Sequence, residues 1–282
     1  MMRARRFITK HKKRLTVVVI AISVLAAAFG LLAFVDHGFS LFAPNDYETN
    51  LYTEIFGVLF SVFVSVVIIG GWSYWRERQQ LRTRLKREAG SRSHDIAISA
   101  VEWLSHENWL IGDKGVLKYA NLDNANLQRA RLVEANLEGA WLNQANLQKA
   151  ELVFAQMQEV RLQHANLQSA RLMYADMQRA RLFGANMQYA TLNGANFHGA
   201  EMQKTNLQNA LMHRVDLQGA NLSNANLLGA MLSDANLCGA VLPDGERYSD
   251  SIDMQKYTNP RHPDYHDYSE TLRIEERLRN TY

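Results

Sequence analysis

The sequence predicts a β-solenoid in which the chain winds around four sides of a narrow apolar core. Three observations predict it. Every fifth residue from Leu117 to Leu242 is Leu, Met or Phe, 26 such positions in unbroken register. The residue two before each is Ala, except at Gly115, Val160, Thr205 and Val215. The third is that a period of five fits no other regular backbone. Ala, Leu, Gln and Arg favour helix, but at about 100° per residue the large positions would drift by about 140° each time around the cylinder. A flat strand fails as well, because an odd period throws alternate residues onto opposite faces. A chain that keeps every fifth residue on one side must turn a corner every five residues. Four corners close a coil, and stacked coils bring backbones within about 4.8 Å, where they pair. The 26 pentads then make about 6.5 coils and a rod about 31 Å tall.

Within the pentad, the small Ala and the large Leu both point inward. Asn or Asp before the Leu suits a tight corner, because its side chain bonds nearby backbone and tolerates unusual φ/ψ. The triplets Ala145-Asn146-Leu147 and Ala225-Asn226-Leu227 resemble the pentapeptide-repeat family, and the likeness covers residues 116–245. The resemblance implies a right-handed quadrilateral β-helix. It implies no single function, since members differ widely in role. Some relatives act as DNA mimics that engage type II topoisomerases.

The chain before the repeats reads as a membrane anchor. Residues 1–14 form a basic N-terminus, with Arg3, Arg5, Arg6, Lys10, Lys12, Lys13 and Arg14. Residues 15–35 carry no charge over 21 positions, long enough for a first transmembrane helix. A cleaved signal peptide would have a shorter apolar core, with small residues after it and not inside it as at Ala26-Ala27-Ala28. The loop 36–50 holds Asp36, Asp46 and Glu48 and no Lys or Arg. Residues 51–72 form the second expected transmembrane helix, with Tyr52, Trp72, Tyr74 and Trp75 suited to the membrane boundary. Gly57, Ser61 and Ser65 give it a stripe of small residues that lets another helix approach. Both outer flanks are basic and the loop is not, so both termini are expected in the cytoplasm of a bacterium, with the chain in its inner membrane.

Residues 73–115 are expected to hold a basic juxtamembrane helix and then a lid over the first coil. Gly90 breaks the helix, Ser91 or Ser93 caps a new one, and Ile96, Ala97, Ala100, Val101 and Leu104 make its apolar face. A solenoid exposes its core at each end, so such caps are required. At the other end Pro243-Asp244-Gly245 stops the repeat. Residues 246–282 are polar and aromatic; part is expected to cover the last coil, and Ser269 to Arg279 to form a short helix.

Little in the sequence points to catalysis. No phosphate loop, nucleophile elbow or paired His–carboxylate motif is present, and a core of Ala and Leu leaves no pocket. His262 and His266 flank Asp264, but Pro263 prevents the helix that would align them for a metal. His164, His198 and His213 fall on outward positions, as does the lone Cys238. No catalytic residue, cofactor or metal is expected. Between Val116 and Asp244 ten Lys/Arg meet ten Asp/Glu. A net charge of zero suits neither direct nucleic-acid binding nor an acidic DNA mimic.

Residues 20 apart stack on one face. One column reads Asn126, Asn146, Asn166, Asn186, Asn206 and Asn226, a ladder of amides, and the opposite one is similarly polar. The face beginning at Arg131 departs from this. It exposes Val133, Val153 and Met173, then Phe154 and Tyr174, and later Leu211 and Met231, with Arg131, Glu151 and Arg171 alternating in sign beside them. The fourth face carries Trp141, Arg161, Arg181, Glu201 and Phe183. Apolar side chains gathered on one side mark a contact surface. The expected function is a membrane-anchored protein-interaction or scaffolding module, with the lipid bilayer, an unidentified protein and a second copy of the chain as partners. The alternative is a DNA-mimic-like regulator of a type II topoisomerase or another nucleic-acid enzyme. Coverage of the apolar face by the chain's own tail stays open.

Overall fold

The computed structural model describes residues 46–265. The expected first membrane helix and the helix expected at Ser269 to Arg279 lie outside the described residues. The chain divides into two compact units, Met1–Gln79 and Gln80–Tyr282. Helix α1 spans Asp46–Ala89, so Asp46 to Asn50, expected in a loop, are helical. In its apolar stretch Val58, Val62, Val66 and Ile69 are exposed. Among the described residues, no helix is long and apolar enough to cross a membrane.

The second unit is a four-sided β-helix closed at both ends. Parallel bridges link each residue at the Asn position to the one 20 later, as in Asn126↔Asn146, Arg131↔Glu151, Asn136↔Gln156 and Trp141↔Arg161. Among the described residues the β-structure is one parallel bridge per side per coil, with an antiparallel bridge at each end, Ile111↔Ala135 and Val241↔Arg247. Each pentad then turns a corner in which the Ala N–H donates to the preceding Leu carbonyl, for example Ala130 to Leu127 at 3.0 Å. The residue just before each Ala has positive φ, between +52° and +71°, in 25 consecutive corners from Tyr119 to Gly239. Asn and Asp were expected to take the unusual backbone themselves. Instead it falls three positions later, on residues as varied as Arg129, Phe154, Glu159 and Tyr174.

The Asn has another task, which appears when the N–H groups of one pentad are followed. Ala145 bonds Leu142 O at 3.1 Å, Asn146 bonds Ala125 O in the previous coil at 2.9 Å, and Leu147 bonds Asn166 O in the next at 2.7 Å. Lys149 bonds Gln168 O at 2.9 Å. Only Gln148 lacks a backbone acceptor, and the Asn146 side-chain oxygen takes its N–H at 3.1 Å. Buried backbone donors without acceptors are costly, so the Asn completes the set. The amide ladder along this face is carried mainly by the neighbouring Gln column. Gln128 donates to Gln148 at 2.8 Å, Gln148 to Gln168 at 2.9 Å and Gln188 to Gln208 at 2.6 Å, whereas Asn146 reaches Asn126 only at 3.4 Å.

The large and small inward positions form one continuous core. Thr205 is fully buried in an Ala position, its hydroxyl donating to Leu182 O at 3.1 Å. At the N-terminal end Leu85 and Ala89 of α1 join that core. So does α2 (His94–His106), through Ala97, Ala100, Val101 and Leu104. Ile96 was expected on this stripe but is 48% exposed, because one residue of helix turns it about 100° off the face. Ser93 occupies the N-cap without a side-chain bond. The cap also supplies acceptors to the first coil, with Ser91 O taking Asn126 N–H at 2.9 Å and Leu110 O taking Asn136 N–H at 2.7 Å. Gly115 breaks the Ala pattern for a steric reason: a Cβ there would stand 2.8 Å from Leu110 O.

The expected C-terminal lid lies over the last coil. Tyr248 N–H bonds Ala240 O at 2.8 Å, Gly229 N–H bonds Thr258 O at 2.7 Å, and helix α3 (Gln255–Thr258) buries Tyr257. The Tyr257 hydroxyl donates to Asp244, and Lys256 pairs with Asp244 at 3.0 Å. Burial alone would raise the Asp244 pKa. The Tyr257 hydroxyl, the Glu246 amide and the Lys256 ammonium outweigh it, leaving the carboxyl below its ordinary value. Burial, then the bond to Asp244, pushes the Tyr257 phenol well above its usual range.

The two shifts give the cap a bounded pH range. A depressed carboxyl stabilises above its unfolded pKa of about 3.9 and loses that contribution as pH falls further; a raised phenol stabilises below about 10 and loses it above. Thermal stability of the full chain is therefore expected to hold between these limits and fall beyond both. In Tyr257→Phe, which keeps the ring, the alkaline fall should shrink. An unchanged alkaline limb would remove Tyr257 from the account.

Candidate functional site

The face from Arg131 to Met231 departs from the regular amide pattern, and the bridges show how its residues align. Arg131, Glu151, Arg171, Thr191, Leu211 and Met231 form one column, each bridged to the next. Glu151 is ion-paired on both sides, with Arg131 at 3.6 Å and Arg171 at 3.8 Å. These pairs are exposed, so each contributes at most about 1 kcal/mol. With no Asn or Asp at the bridge position, the amides that follow lose their usual acceptor. The N–H groups of Val133, Val153 and Met173 have no protein acceptor among the described residues. Val133 and Met231 are exposed, and Val153, Met173 and Leu211 half-buried.

At the corner beside this column, Phe154 and Tyr174 stack with ring centroids 5.2 Å apart and planes 10° from parallel. Both occupy the positive-φ position, which aims side chains at 20-residue spacing along the corner. They are 54% and 59% exposed. None of the described tail covers them, since it lies over the last coil. Beneath Tyr174 sits Gly194, whose Cβ would stand 2.5 Å from the ring. The same device recurs elsewhere: Tyr119 lies over Gly139 and His164 over Gly184. A ring on one coil uses the space left by a missing side chain on the next.

The sequence-derived set is thus only partly contiguous. Arg131, Glu151 and Arg171 join in one ion pair chain, and Phe154 and Tyr174 in one stack. Leu211 and Met231 continue the column, separated from Arg171 by Thr191. Gly194 was missed, although its spacing of 20 from Tyr174 could have identified it. Among the described residues no cluster of three or more His, Cys, Asp or Glu side chains could hold a metal ion. His262 pairs with Asp253 at 3.4 Å, and Cys238 is exposed as expected.

The fold supplies a direct test of the ring-over-glycine packing. Gly194→Ala is expected to destabilise by at least about 1 kcal/mol, from left-handed backbone strain plus the clash with Tyr174. Combined with Tyr174→Ala, the penalty should fall but not vanish, because the backbone strain remains. A double-mutant cycle of thermal stabilities with no coupling would contradict the packing.

Comparison with known proteins reaches the same repeats. The sequence signature described as Pentapeptide repeats matches in eight copies, over residues 116–148, 150–188, 175–214 and 206–242. No curated protein matches the chain. Among solved structures, similarity is found to HetL, a pentapeptide repeat protein involved in heterocyst differentiation regulation from the cyanobacterium Nostoc. The two are 30% identical, the match covers 46% of this chain and 76% of HetL, and the TM-score is 0.18. A pentapeptide repeat protein of the Arabidopsis thaliana thylakoid lumen is 21% identical, with 58% and 96% covered and a TM-score of 0.22. Full-length QnrB1, a plasmid-mediated fluoroquinolone resistance protein, is 16% identical, with 54% and 84% covered and a TM-score of 0.26.

Proposed function

Because this chain belongs to the pentapeptide-repeat family, with the right-handed β-helix that membership implies, we propose that it is a non-catalytic, membrane-anchored interaction module. The solenoid is the recognition element, and the Phe154–Tyr174 face is where a protein partner binds. The observation that carries this reading is the stacked, exposed aromatic pair beside amides without internal acceptors. Covering such rings stabilises a complex by about 25 cal/mol per Å² of apolar area. Aromatic and Arg side chains together are also typical of interface hot spots. The amide-bonded Asn and Gln face satisfies itself and offers a partner less. The balanced charge of the repeats, ten basic against ten acidic residues, does not favour mimicry of DNA.

Anchoring rests on the N-terminal sequence and is supported by the exposed apolar side chains of α1. Val58, Phe60, Val62, Val66, Ile68 and Ile69 point outward on several sides, an arrangement suited to lipid and not to water. The guanidinium of Arg76 lies 4.7 Å over Trp72, as at an interfacial belt. The two spans, residues 15–35 and 51–72, are read from the sequence, and the basic flanks then put both termini in the cytoplasm of a bacterial inner-membrane protein.

Two experiments test these parts separately. Cys238→Ser variants with single Cys at Ser40 or Ser269 are treated with an impermeant reagent in intact cells. Labelling at position 40 alone is expected, and labelling at position 269 alone would reverse the topology. For the interface, the double change Phe154→Ser and Tyr174→Ser should leave the fold intact and remove adducts formed by cross-linking in native membranes. Changes at Asn146 and Gln148 should leave the adducts. The opposite pattern would put the contact surface on the amide face.

A further inference from the structure

The face opposite the aromatic corner breaks a rule of charge pairing that the rest of the solenoid keeps. Four bridged pairs join two charged residues: Arg131↔Glu151, Glu151↔Arg171, Arg181↔Glu201 and Arg161↔Arg181. Three are opposite in sign. Arg161 and Arg181 alone are alike, and like charges directly across a bridge repel. A third guanidinium joins them from the adjoining corner, because Arg179 belongs to the same groove of about 560 Å³, with Glu159, His198 and Glu201 as its other polar walls.

The two carboxylates do not use up the donors around this groove. Arg179 stands 4.0 Å from Glu159 and Arg181 4.0 Å from Glu201, the outer limit of ion pairing, and all four side chains are at least half exposed. By contrast Lys118 reaches Glu138 at 2.7 Å. Arg161 is held differently: its guanidinium lies 4.6 Å over the Trp141 ring. Stacking fixes the plane of a guanidinium and leaves its N–H edge free to donate. The floor is open, since at Gly199 a Cβ would meet only Arg179 Cγ, at 3.8 Å.

We infer that this groove is an anion site that takes a phosphate group, bound by the forked N–H edges of Arg161, Arg179 and Arg181. Planar guanidinium forks match phosphate oxygens in pairs, and a dianion between Arg161 and Arg181 replaces their repulsion with two attractions. Glu159 and Glu201 stand between the three cations, and His198 lines the same groove. The phosphate belongs either to a soluble phosphate ester or to a lipid headgroup, and the chemistry of recognition is shared. The site lies on a different face from Phe154 and Tyr174 and stands independently of the protein-docking reading.

Arginine footprinting of the full chain in detergent tests it. The chain is modified with phenylglyoxal at fixed ionic strength, and each Arg is followed by mass spectrometry in chloride, in inorganic phosphate and with phosphatidic acid vesicles. Modification of Arg161, Arg179 and Arg181 is expected to slow about tenfold when phosphate stands at ten times its Kd. The exposed Arg131 and Arg214 should react as before. Protection by inorganic phosphate assigns a soluble source, and protection by the vesicles alone assigns a headgroup. Arg181→Gln should abolish protection at Arg161 and Arg179 while thermal stability is unchanged or higher, because a repulsive pair is removed. No protection by either probe, or equal protection at Arg131 and Arg214, overturns the site.

Discussion

The structure depends on finding acceptors for the backbone N–H groups of a coil only five residues wide on each side. Two N–H groups of the pentad reach the next coil, one reaches back, and one closes the corner. The fifth is taken by the Asn side chain, as Asn146 does for Gln148. This arrangement works only if the residue before each Ala adopts positive φ. An L-residue there bears roughly 1 kcal/mol of strain, yet 18 of the 25 corners are filled by residues other than Gly. The bonds between coils and the burial of one Leu and one Ala per pentad offset that strain. They do so collectively, and each coil depends on its neighbours.

That dependence explains the ends. The first coil has no predecessor, so Ser91 and Leu110 supply the carbonyls that an earlier coil would have given. The last has no successor, and the return of Arg247 and Tyr248 beside Val241 and Ala240 takes its place. With the core and four of the five N–H groups of a pentad satisfied by the coils themselves, the outward positions are free to vary. On the Asn126 face they repeat one amide solution; at Phe154 and Tyr174 they expose rings; at Arg161 and Arg181 they accept like charge. The proposed functions sit where the repeat is departed from, because a face whose amides bond along the column gains less from a partner.

The fold was legible from the period alone, since only a cornered coil keeps 26 fifth residues on one side. The α2 lid followed from its 3.6-residue stripe, although Ile96 was placed on the wrong side of it. What the sequence concealed was the division of labour within the pentad. Asn at one position suggested both the cap and the strained backbone, whereas the strain falls where no residue type is specified: Arg129, Phe154 and Tyr189 all take it. Propensity carries no signal there because the ladder, not the side chain, imposes the conformation. The candidate faces were legible as columns at spacing 20. The platform role of Gly194 was available from the same spacing, 20 residues after Tyr174, but a missing side chain draws no notice until the ring over it is seen.

The central claim is that 20 residues advance the chain by one coil. Spin labels at Arg129 and Asn209, two exposed residues of one corner column, test it in a full chain carrying Cys238→Ser. Four coils separate them, so pulsed dipolar spectroscopy should give a narrow distribution centred near the label-extended equivalent of about 19 Å. A helical reading of the same tract would put them about 120 Å apart. A distance far beyond the four-coil value, or a broad distribution without a peak, would contradict the account.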